Sequence, residues 1–110
     1  MEELKRILEQ LNFPIAYDHF NGPTTSPYII YRRFSTSNFG ADNKVYKKIN
    51  NIYVGLYTSK KDIELENALE ELFDENNIFY NVESEEYIDS EDVYEIIYKV
   101  NKEETKWAKK

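Results

Sequence analysis

A chain of 110 residues and 13.2 kDa has room for one core, since a second would need roughly 50 residues of its own. It contains no cysteine and a single histidine, His19, which excludes disulfides, thiolate metal sites and any multi-histidine metal centre. The net charge is −7 and 32% of residues are charged, but aromatics make up 15%, too many for a disordered chain.

The first element expected is a helix over 2–12. Leu4, Ile7, Leu8 and Leu11 recur at i, i+3, i+4 and i+7, which makes one apolar stripe. Glu2 and Glu3 suit the positive end of its dipole, and Pro14 disfavours helix at Phe13. This segment has neither a basic n-region nor a small-residue cleavage site, so it does not read as a signal peptide. No apolar run approaches the ~18 residues of a membrane span, and the expectation is a cytosolic protein with no membrane contact. Residues 15–20 form a short extended segment, and Asn21–Pro27 is the clearest loop.

Residues 28–34, Tyr-Ile-Ile-Tyr-Arg-Arg-Phe, are dense in β-favouring types and predict a strand. Residues 35–44 read as a polar loop displaying Phe39. A long strand follows over 45–58, where Ile52, Val54 and Leu56 alternate with Tyr53, Gly55 and Tyr57, the period of a half-buried strand. Asn50-Asn51 suggests a bulge in it. The second helix, 62–76, has the stripe Leu65, Ala68, Leu69, Leu72 and Phe73, with Ser59 as the expected N-cap. Asn76-Asn77 suits a left-handed helix end. Strand pieces over 78–83 and 85–88, a turn at 89–92 and a strand over 93–101 complete a domain of residues 1–101. Residues 102–110 read as a mobile polar tail holding Trp107. Short links between the later strands imply antiparallel pairing. The expected fold is α+β: a mainly antiparallel sheet of four to five strands with two helices packed on one face.

Charge is segregated along the chain. Residues 28–61 carry seven bases against Asp42 alone, and residues 62–95 carry fourteen carboxylates and no base. Two unlike blocks can steer one copy onto another. Catalytic chemistry finds no foothold. A lone histidine near a loop supplies no triad, and no pair of carboxylates is set apart from the rest as an acid–base pair. Asp89-Ser-Glu-Asp92 lacks the central glycine and bidentate glutamate of a calcium loop. Gly22, Gly40 and Gly55 are too scattered to cradle a phosphate. No cofactor, metal or catalytic residue is expected. Arg32, Arg33, Lys47 and Lys48 lie among aromatics as in single-strand binders, but the net charge opposes a polyanion.

Pro-Tyr-Ile-Ile-Tyr at 27–31, Asn-Phe-Gly-Ala-Asp-Asn-Lys-Val-Tyr at 38–46, Ile-Tyr-Val-Gly-Leu-Tyr-Thr at 52–58, the Glu/Leu-rich helix and Tyr-Glu-Ile-Ile-Tyr at 94–98 occur in an order that resembles small structural proteins of long-tailed bacteriophages and prophages. These are the tail completion, tail terminator-like and head–tail joining proteins. The likeness covers about two thirds of the chain. It implies an α+β subunit, not an enzyme, that assembles into a ring, commonly a hexamer, at the head-proximal end of a tail, and that contacts tail-tube or neck proteins. Such a protein is found in the bacterial cytoplasm during assembly and then in the virion. The candidate subunit-interface residues are Arg32, Arg33, Phe39, Lys47 and Lys48 on one side and Glu70, Glu71, Asp74 and Glu75 on the other. The competing reading is an acidic inhibitor or DNA mimic encoded by a mobile element, which the basic block weakens.

Overall fold

The structure is a computed structural model that describes residues 2–41 and 44–105; for residues 38–41, 44–48 and 102–105 it describes the backbone alone. The elements run α1 (Glu2–Leu8), a 3-10 turn (Glu9–Leu11), β1 (Ile15–Tyr17), β2 (Tyr28–Ala41), β3 (Lys44–Thr58), α2 (Ile63–Glu75), β4 (Phe79–Ile88) and β5 (Val93–Thr105). This is the expected order of two helices and five strands in an α+β fold. The five strands form one sheet in the order β1-β2-β3-β5-β4. All neighbours pair antiparallel except β1 and β2, which are parallel. The parallel pair has a simple cause: the Asn21–Pro27 loop carries the chain back along β1 before β2 begins, so both strands run the same way.

The stripe of the first helix is continuous, but its α-helical part ends at Leu8. A tighter turn takes the chain to Leu11, and Asn12 closes it at φ 61°, its N–H donating to the Glu9 carbonyl at 3.2 Å. Asparagine tolerates this left-handed conformation, so the helix stops before Pro14 is reached. α2 is capped by Asp62, not by Ser59. The Asp62 carboxylate accepts the Leu65 N–H at 3.1 Å, and an acid at that end also meets the helix dipole favourably. Asn77 at φ 56° ends α2 in the left-handed manner its sequence suggests.

Registers place the apolar residues of three strands in rows across the sheet. Ile29, Leu56 and Ile96 form one row, Tyr31, Val54 and Tyr98 the next, and Ile52 and Val100 continue it beside Arg33. Residues two apart in a strand share a face, so these eight apolar side chains lie on one side. All are buried, and they belong to the same core cluster as Leu4, Ile7, Leu8, Leu69 and Phe73 of the helices. Leu11, Leu65 and Leu72 pack against it partly buried.

Residues 35–41 are strand rather than loop. Their Ser/Thr/Asn composition hides a cross-strand ladder: the Asn51 Nδ2 amide donates to Ser35 Oγ at 2.9 Å and to Ser37 Oγ at 3.4 Å, and Asn101 Nδ2 donates to Asn51 Oδ1 at 2.8 Å. Partner context overrides the weak β-propensity of these residues. The expected bulge at Asn50-Asn51 lies instead on the facing strand. Register passes from Arg33 opposite Ile52 to Ser35 opposite Asn51, which makes Phe34 the extra residue. β5 continues to Thr105 opposite Lys47, so residues 102–105 are strand, not tail. Trp107 lies outside the described residues.

The molecule measures 51 × 26 × 23 Å. A 15-residue strand is about 50 Å long, whereas a 13-residue helix spans about 20 Å. The strands therefore outrun the helices, and β2, β3 and β5 extend as an arm beyond Asn50. Among the described residues, no helix is long and apolar enough to cross a membrane.

Leu69→Ala should cost about 2–5 kcal/mol in a urea titration, because its side chain is fully buried in the core cluster. Asp62→Ala should cost about 0.5–2 kcal/mol, and Ser59→Ala should fall within about 0.5 kcal/mol of wild type. The reverse order would show that the helix starts at the earlier residue.

Candidate functional site

The side of the sheet opposite the buried rows carries three rows of its own. Tyr28, Tyr57, Glu95 and Glu86 form one, Ile30, Gly55, Ile97 and Ser84 the second, and Arg32, Tyr53, Lys99 and Asn81 the third. Gly55 leaves a gap in the middle row. A Cβ there would meet the Tyr57 ring at 2.9 Å and the Ile97 side chain at 3.1 Å, so the absence of a side chain is what lets Tyr57 lean inward. A trough of about 450 Å³ follows the middle row, with Arg32 and Tyr53 on one flank, Tyr57 on the other, and Asp18 and Glu83 at its ends.

The trough's aromatic walls are held in place. Tyr53 stacks on Phe34 at 4.0 Å between centroids, and Tyr57 stacks on Tyr28 at 4.9 Å. Lys99 Nζ lies 5.9 Å from the Phe34 ring centre, within cation–π range. The Tyr57 hydroxyl donates to Glu95 Oε2 at 2.8 Å. Burial, then this bond to a carboxylate, pushes the Tyr57 phenol well above its ordinary value, so it stays a neutral donor.

The sequence-derived interface residues do not form one patch. Arg32 lies on this open side and Arg33, one residue on, faces the other; both are exposed. Arg33 reaches toward Asn50, with Nη1 a long 3.5 Å from Oδ1. Asn50 itself is only 1% exposed, and its Nδ2 finds no partner among the described residues. Phe39, Lys47 and Lys48 pair through their backbones at the far end of the β2–β3 arm, Phe39 opposite Lys47; their side chains lie outside the described residues.

On the acidic side, Glu71, Asp74 and Glu75 are exposed, as their place off the apolar stripe requires. Glu70 is different. It is half-buried, its Oε2 accepts the Tyr98 hydroxyl at 2.7 Å, and its Oε1 accepts the Tyr80 hydroxyl at 3.4 Å. Burial first, and the Glu70 bond second, raises the Tyr98 phenol. This carboxylate is committed to the interior and is not available to a partner. A signal was present in the sequence: Glu66, Leu69, Glu70 and Phe73 repeat at i, i+3, i+4 and i+7, so both acids share an arc with two core residues.

Glu66, 7% exposed, is the other acid on that arc. Lys61 Nζ donates to Glu66 Oε1 at 2.9 Å and to Glu85 Oε1 at 2.8 Å. The Tyr94 hydroxyl also donates to Glu85 Oε1, at 3.0 Å. Lys61 thus ties the start of α2 to β4 and is withdrawn from the basic block. The paired ammonium is held above its ordinary value, by Glu85 first and Glu66 second. The Glu85 carboxyl is held below its own, by Lys61 first and Tyr94 second.

Glu70→Ala should cost about 1–3 kcal/mol by leaving the buried Tyr98 hydroxyl without its acceptor, while Glu71→Ala should stay within about 0.5 kcal/mol of wild type. The Lys61 clamp has a definite pH signature. Because the folded-state value of Glu85 is depressed, its contribution is full above the ordinary 4.5 and is lost as the pH falls through the lower folded value. Lys61, with a raised value, contributes fully up to its ordinary 10.5 and loses that only in stronger base. Lys61→Met should therefore lower the melting temperature at neutral pH, and the gap from wild type should close in acid. A gap that persists unchanged below the carboxylate range would assign the loss to packing instead.

No protein-family model matches this chain, and no curated protein matches it.

Proposed function

We propose that the chain is a non-catalytic structural subunit of a long-tailed bacteriophage or prophage particle, of the tail completion or tail terminator type. It closes into a ring at the head-proximal end of the tail and joins tail to head, after accumulating in the host cytoplasm. In this reading α1 and α2 both cover one face of the sheet, and the opposite face and the arm remain for contacts.

The observation that supports this best is the placement of charge on an elongated fold. β2 and the β2–β3 arm carry bases, while α2 and β4 carry acids, and β2 and β4 lie toward opposite edges of the sheet. A closed ring needs two unlike patches on one subunit, and this chain offers two unlike regions. On the basic side lie Arg32 and Arg33, on the two faces of β2, and Lys47 and Lys48 farther along the arm. Glu71, Asp74 and Glu75 supply the acidic side, with Glu70 removed because its carboxylate is bound inside. Exposed pairs contribute about 0–1 kcal/mol each, so charge orients the subunits and apolar contact supplies most of the affinity. The exposed acids of α2 and β4 also suit the DNA-mimic reading, but a mimic gains nothing from a cationic arm.

Reversing Lys47 and Lys48 to Glu should abolish ring assembly and leave the far-ultraviolet circular dichroism unchanged. Adding Glu71→Lys and Asp74→Lys should restore part of it. Heads with joined tails, counted by electron microscopy, provide the readout. If the Lys47/Lys48 variant joins tails as well as wild type, docking through charge is wrong. Tight one-to-one binding of the monomer to a nuclease or repressor, with no ring, would favour the mimic.

A further inference from the structure

We infer that copies of this chain join edge to edge, the β4 edge of one subunit pairing with the free stretch of β2 in the next, so that their sheets become continuous. The inference rests on the ring reading and says which surfaces meet.

Both ends of the sheet carry an unpaired strand edge. At one end β1 covers β2 only at Ile29–Tyr31, which leaves the outer edge of Arg32–Ala41, ten residues paired on their other side with β3, without a strand beside it among the described residues. One amide there, that of Arg33, donates to the Tyr17 hydroxyl at 3.2 Å. At the other end β4 pairs with β5, and over Phe79–Ile88, also ten residues, its outer edge has no strand partner among the described residues. The turn after Ile88 bonds back to that residue's carbonyl, and its Asp92 carboxylate accepts the Tyr87 hydroxyl. A free edge of this length is a template for another strand. The two edges match in length, and a strand added to one presents the other at the far side of the new subunit, as ring growth requires.

The chemistry of the edges selects unlike pairing. β4 carries Glu83 and Glu86, besides the Glu85 that Lys61 holds, and no base of its own. The free part of β2 carries Arg32 and Arg33 and no acid. Pairing β4 with β4 sets carboxylates against carboxylates, and pairing β2 with β2 sets guanidinium against guanidinium; like charges across strands are destabilising. Only β4 with β2 is attractive. β4 also holds three of the five large apolar side chains exposed among the described residues, namely Phe79 at 71%, Val82 at 45% and Tyr87 at 49%. Apolar surface concentrated on one open edge is what a partner strand would cover.

The chain has no cysteine, so introduced thiols report contacts without background. Ser35 and Ser37 on β2 and Ser84 and Glu86 on β4 are exposed and face the same side as the open rows. Across a continuous sheet, directly opposite Cβ atoms on one face lie about 4.5–5.5 Å apart, close to disulfide geometry. Single variants Ser35→Cys, Ser37→Cys, Ser84→Cys and Glu86→Cys are purified at wild-type melting temperature, mixed pairwise under mild oxidation, and followed by sedimentation velocity and non-reducing gels. At least one β2–β4 mixture should give cross-linked dimer roughly tenfold faster than either variant alone, since pairing raises the local thiol concentration. A tryptic map should place the disulfide between the two strands. Copies that associate without a preferred β2–β4 cross-link overturn edge pairing and leave the ring reading standing. Copies that stay monomeric at about 1 mM, the range of very weak contacts, also overturn it. The ring reading then stands or falls on the count of joined particles.

Discussion

The alternation along β3 decides which way every long strand faces. Ile52, Val54 and Leu56 are buried in the core cluster that also holds Leu4, Leu69 and Phe73, while Tyr53, Gly55 and Tyr57 lie on the opposite side of the sheet. β2 and β5 flank β3 on either side, and their registers repeat its choice row by row. A slip of one residue would turn Leu56 and Val54 outward and bring Tyr53 and Tyr57 into the core. The Phe34 bulge absorbs the extra residue of β2 just past the last apolar row, so the correction falls outside the region where register matters most.

An acidic helix laid on this core has to dispose of the carboxylates that share its inner arc. Glu70 receives the hydroxyls of Tyr98 and Tyr80, and Glu66 receives Lys61. Each bond satisfies a donor or charge that would otherwise be costly to bury. The same two acids fix α2 to three separate parts of the fold: β5 through Tyr98, β4 through Tyr80 and the Lys61–Glu85 link, and the β3–α2 connection through Lys61 itself. Tyr98 is fully buried as a residue, yet it keeps a polar terminus because Glu70 is there to accept it. Packing and polar satisfaction in this part of the core cannot be separated.

Much of the fold was legible in the sequence because it rests on periodicity. The stripes of Leu4–Leu11 and Leu65–Phe73, and the alternation of 52–57, identify elements, faces and most of the core without any tertiary information. What was not legible depends on partners. Ser35 to Ala41 reads as loop until Asn51 stands opposite to bind two of its serines. Lys102 to Thr105 reads as tail until β3 is long enough to pair with it. The parallel β1 cannot be told from an antiparallel one by composition. For the candidate interface, exposure of Glu71, Asp74 and Glu75 followed from the helix stripe; Arg32 and Arg33 were placed by a flanking loop that is in fact strand, and Glu70 was misplaced because a carboxylate next to an apolar stripe looks solvated until Tyr98 is found beneath it.

The mismatch between helix and strand lengths then bears on what the far part of the sheet can do. The buried apolar rows of the sheet run as far as Ile52 and Val100 among the described residues, and Asn50 is the last buried side chain of β3 among those described. Beyond it the sheet holds together through its backbone ladder and through side chains such as Ser35, Ser37, Asn51 and Asn101. Hydrogen bonds of this kind contribute about 0.5–1.5 kcal/mol each. A strand docked along β2 would complete a ladder that the chain leaves half-paired, and would do so without disturbing the buried rows.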